Sequence, residues 1–125
     1  MFKVIAVLST LMLASPALAQ HAHGSQKGPH GGPMEDVAGV HVELVIAGST
    51  VSLNILDEAG NPLDAKGYSG SAMVVAGGDR KTLALAPSGS ALAGQAQGAI
   101  PSGATITVVV KTAAGKSGQA KFTAP

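Results

Sequence analysis

In "VHVELVI" (residues 40–46) and "TVSLNIL" (residues 50–56) every second residue is apolar. A period of two puts alternate side chains on opposite faces, which a half-buried β-strand needs and an amphipathic helix cannot use. Val40, Val42, Leu44 and Ile46 are expected to face a core, with His41, Glu43 and Val45 pointing away. In the second stretch Val51, Leu53 and Ile55 face inward, and Ser52 and Asn54 outward. The intervening "AGST" is a tight turn, so the two stretches form a hairpin.

The same kind of signal continues to the end of the chain. "DEAGNPLDAKGYSG" holds turn residues, with Gly60-Asn61-Pro62 the strongest punctuation. "SAMVVAG" is a short, nearly continuous apolar strand, and "KTLALA" places Leu83 and Leu85 on one face. "PSGS" breaks the chain again, and "ALAGQAQGAI" is rich in Ala and Gly and favours no element strongly. "ATITVVVKT" aligns Ile106, Val108 and Val110, and "QAKFTA" aligns Ala120 and Phe122. No window carries helical periodicity. Short strands at this spacing predict an all-β fold, an immunoglobulin-like antiparallel β-sandwich of about seven strands, with a small closed barrel as the alternative. The chain has no cysteine and no tryptophan. Burial of Val, Leu, Ile and Ala must therefore stabilise it without disulfides.

The N-terminus reads as an export signal. "MFK" is a short basic start, and "VIAVLSTLMLA" is an apolar run too short to span a bilayer. "SPALA" then supplies Pro16 and the small residues Ala17 and Ala19, so cleavage is expected after Ala19. The chain divides into a signal peptide (1–19), a flexible His/Gly/Pro-rich arm (20–38) and a β-sandwich domain (39–125). The expected location is the periplasm, with no membrane span in the mature chain.

Eight Lys and Arg residues, one of them Lys3 in the leader, stand against seven Asp and Glu. No basic patch interleaved with aromatics supports nucleic-acid binding. Catalytic patterns are missing too: there is no G-x-S-x-G elbow, and neither Gly31-Gly32 nor Gly77-Gly78 continues into a phosphate loop. A non-enzymatic protein without organic cofactor is expected. Sugar binding is disfavoured, since Tyr68 is the only candidate aromatic platform.

All four histidines lie between residues 21 and 41. Cleavage after Ala19 would put His21 second and His23 fourth from a free amine, a set of nitrogens suited to Cu(II) or Ni(II). Cyclisation of Gln20 would remove that amine. His30 sits in "GPHGGPM", where glycines allow the backbone close to an ion, and Met34 offers a thioether suited to Cu(I). His41 and Glu43, about 7 Å apart on one strand face, suit Zn(II) or Cu(II). Each alone has an ordinary explanation: an incidental H-x-H, a turn histidine, a packing methionine, a solvated strand pair. Together they favour metal contact, with the ion's identity open.

"GPHGG", followed by "PMEDVAG" and the strand "VHVELVI", resembles a segment of small exported bacterial proteins carrying a P-H-G-G motif. It is also similar to a stretch of periplasmic adaptor subunits of heavy-metal efflux systems of the resistance-nodulation-division type, whose later part resembles "LNILDEAGNPLDA". The resemblance covers residues 28 to about 65. It implies a periplasmic role in handling copper, zinc, cobalt or nickel, points to His30, Gly31, Gly32, His41 and Glu43, and suggests an efflux component as partner. The helical hairpins and lipoyl-like domains of adaptors have no counterpart here, so the expected role is a stand-alone module that buffers or delivers metal. Binding requires deprotonated imidazoles and should weaken below about pH 6. The alternative expectation is a structural or interaction module of the envelope with no metal role.

Overall fold

The computed structural model describes residues 26–125. The signal peptide, its cleavage site, His21 and His23 lie outside the described residues. Eight antiparallel strands follow one another: β1 (Met34–Val37), β2 (Val40–Ala47), β3 (Thr50–Leu56), β4 (Ser69–Ala76), β5 (Asp79–Ser88), β6 (Ala91–Gln95), β7 (Thr105–Lys111) and β8 (Ser117–Thr123). The fold is all-β and antiparallel, with one strand more than the seven expected. Among the described residues no helix is long and apolar enough to cross a membrane.

The additional strand is β1. Within residues 26–38, expected as part of a flexible arm, Lys27 and residues 33–37 are paired instead. Lys27 bridges Pro33, Met34 to Val37 pair with Glu43 to Val40, and the Leu44 N–H donates to the Pro33 carbonyl at 2.9 Å. The link from β1 to β2 is the two-residue turn Ala38-Gly39, both at positive φ (52° and 86°). This is the twist-matched geometry of tight hairpins, although alanine adopts it at a cost of roughly 1–2 kcal/mol.

The strands form one ladder in the order β1-β2-β3-β6-β5-β4-β7-β8. The hairpin of β2 and β3 forms as the alternation predicts, pairing Glu43 with Asn54 and Leu44 with Leu53. β5 is the pivot. Its first part, from Asp79 to Leu85, pairs with β4, and its last part, Ala86 to Ser88, pairs with β6. The strand therefore runs through Pro87, where a break was expected. β4 has no partner for β5 beyond Leu85, so the missing N–H of Pro87 falls where the strand has a neighbour on one side only. The Ala/Gly-rich stretch resolves into β6 for a similar reason, being held between β3 and β5.

The ladder curls around one aliphatic core. Val42, Leu44, Val51, Leu53 and Ile55 from the first hairpin meet Ala72, Val74, Leu85, Leu92, Ile106, Val108, Val110 and Phe122. The curl brings the two ends together. A Cβ added to Gly118 in β8 would lie 2.9 Å from the Ala38 nitrogen and 3.1 Å from Val37 Cγ1, so β8 lies directly against β1. Tyr68 packs its ring partly into the core rather than offering an exposed platform.

Candidate functional site

Paired residues in an antiparallel ladder share a face. The face opposite the core on β1, β2 and β3 therefore carries two rows: Met34–Glu43–Asn54 and Asp36–His41–Leu56. Alternation correctly directs His41 and Glu43 to this side, and Met34 joins them through β1. Glu43 is nonetheless completely buried, because residues 28–32 lie across it.

The covering loop shows why the motif reads Gly-Pro-His-Gly-Gly. The Gly31 N–H donates to the Gly28 carbonyl at 3.0 Å, closing a four-residue turn in which Pro29 and His30 are central. Proline's fixed φ suits the first central position. Gly31 has φ +82°, a left-handed conformation that glycine adopts without penalty. The other two glycines are there for space. A Cβ on Gly28 would sit 2.3 Å from Glu43 Cδ, and one on Gly32 would sit 2.0 Å from the Leu44 carbonyl oxygen.

The Glu43 carboxylate organises this loop from below. Its Oε2 accepts the backbone N–H of His30 at 2.8 Å and that of Gly32 at 3.0 Å. Its Oε1 lies 2.7 Å from His30 Nδ1. A buried carboxylate without partners would cost several kcal/mol, and these contacts supply both oxygens with donors. The His30 ring itself remains 58% exposed above the carboxylate, with Asn54 Nδ2 3.5 Å from Nδ1. A second imidazole–carboxylate pair lies along the same face, where His41 Nδ1 meets Asp36 Oδ1 across the β1–β2 ladder.

The structure thus brings four of the six expected metal residues, His30, Met34, His41 and Glu43, to one face. It does not join them into a single ligand cluster. His30 is tied to Glu43, His41 to Asp36, and among the described residues no three His, Asp or Glu groups are arranged to hold one ion. Asp36 and Asn54 are additions that single-strand alternation could not supply, since both depend on register with β2. Comparison with protein-family models, curated proteins and solved structures returns no match for this chain.

Proposed function

We propose that the protein is a periplasmic, non-enzymatic binder of a divalent transition metal, copper or zinc first, serving to buffer or deliver it. The observation that carries this reading is His30, an imidazole half exposed to solvent and braced at Nδ1 by a buried carboxylate. Histidines that ligate metals nearly always have their second nitrogen held in this way. Met34 and His41 lie on the same face. His21 and His23 belong to this reading on the sequence pattern alone. A role linked to heavy-metal efflux or resistance rests on the sequence resemblance alone.

The test is calorimetric titration of the exported form with Cu(II), Zn(II) and Ni(II). Affinity above that of an unrelated H-x-H peptide, lost in the double variant His30→Ala/His41→Ala, is expected. Binding that the double variant leaves unchanged would overturn the proposal. Because imidazole must be deprotonated to bind, affinity should also fall on acidification.

A second reading, an envelope interaction module without metal, is favoured by the fact that Glu43 also serves to pin the loop. It predicts partner binding that is indifferent to added metal or chelator and survives His30→Ala/His41→Ala. The immunoglobulin-like assignment belongs with these proposals. Counting β2 as the first strand of such a sandwich, β2-β3-β6-β5 and β4-β7-β8 match the A-B-E-D and C-F-G sheets, with β5 taking part in both halves.

A further inference from the structure

Taking His30 as a metal ligand, we infer that Glu43 is a positioning residue rather than a ligand: it locks the His30 proton on Nδ1 and leaves Nε2 as the only metal-binding atom. The geometry assigns each group its role. Oε2 of Glu43 is occupied by two backbone N–H donors, and Oε1 faces His30 Nδ1 at 2.7 Å. An acceptor-only carboxylate at that distance requires a donor, so Nδ1 carries the hydrogen. The Asn54 amide, at 3.5 Å from the same nitrogen, is too distant to compete for its lone pair. Glu43 is 0% exposed, and its carboxylate lies beneath Gly28, His30 and Gly32, so an ion cannot reach it without expelling the loop. The expected ligand pair therefore becomes a ligand and its brace.

The arrangement also bears on the kind of ion. A carboxylate behind an imidazole raises the basicity of the opposite nitrogen. That favours borderline divalent ions such as Zn(II) and Cu(II), for which imidazole is the natural ligand, over Cu(I), which prefers sulfur.

The direct test is the nitrogen spectrum of the imidazoles in the metal-free protein, long-range proton–nitrogen correlations being recorded at a pH where the rings are neutral. His30 is expected as the Nδ1–H form, with a pyridine-like Nε2, and Zn(II) is expected to shift Nε2 selectively. Glu43→Gln, which keeps an acceptor oxygen but loses the charge, should mix the tautomers and weaken Zn(II) binding 10- to 100-fold. A wild-type His30 carrying its proton on Nε2, or Zn(II) entering at Nδ1, would overturn the inference even if Glu43→Gln failed to fold. The tautomer is read without metal. An Nδ1–H ring in a protein whose Zn(II) affinity ignores His30→Ala would therefore uphold the brace and overturn the metal-binding function instead.

Discussion

Glu43 is the residue on which local structure and candidate chemistry both depend. Glu43→Ala removes the acceptor for two backbone N–H groups and one imidazole, leaving those donors under a collapsed loop. Hydrogen bonds to charged groups contribute about 1.5–3 kcal/mol each, and the freed donors regain water only if the loop lifts. The expected cost is about 2–4 kcal/mol in urea unfolding, with residues 28–32 losing amide protection first. Asp57 is a simpler residue-scale case. Its carboxylate accepts the Asn61 N–H at 2.8 Å, and this bond holds its pKa below the ordinary aspartate value. A lowered folded pKa means that the contribution is present above the unfolded value and is lost as pH falls through the folded one. The Asp57 side-chain carbon should titrate below a peptide aspartate, and Asp57→Ala should lose less stability than wild type between pH 5 and pH 2. Equal acid limbs would refute this.

At the scale of elements, the covering loop is a shape problem as much as an electrostatic one. Gly32→Ala leaves every charge in place yet puts a methyl group 2.0 Å from the Leu44 carbonyl oxygen, a contact that backbone cannot yield to cheaply. The loop should detach from β2, making Glu43 accessible and removing the Nδ1 brace. Loss of exchange protection at the amides of residues 30 and 32 would report it, with the β2–β3 hairpin unaffected. The contrast between these elements shows what was legible in the sequence. β2, β3 and β7 carry their own period of two, so their core residues Val42, Leu53 and Val108 could be read directly. β1 could not. "MEDV" offers one buried side chain, Val37, and its turn uses Ala38 where Asn or Gly would have signalled a hairpin. β5 was obscured by Pro87, whose tolerance depends on which neighbour is present. The outward direction of Glu43 was legible, but its burial was not, because the cover comes from an aperiodic segment ahead of the strand.

Across the whole molecule, closure between β1 and β8 joins the two ends of the ladder. Gly118→Val forces a branched side chain toward Val37 and the Ala38 backbone. Overpacking of this kind costs about 1–3 kcal/mol. Urea unfolding should show the loss, and amide exchange should localise it to β1 and β8 while β3 and β6 stay protected. A uniform loss of protection would mean that the seam is no separate unit. The seam also has a consequence in time. A chain emerges N-terminus first, so β1 and the histidine-bearing loop are available before the strand that shelters Val37, which is the last of the eight described strands to appear. Until β8 arrives, one flank of the finished hairpin remains open. The face that gathers His30, Met34 and His41 therefore rests on a support completed only after the other seven strands have been made.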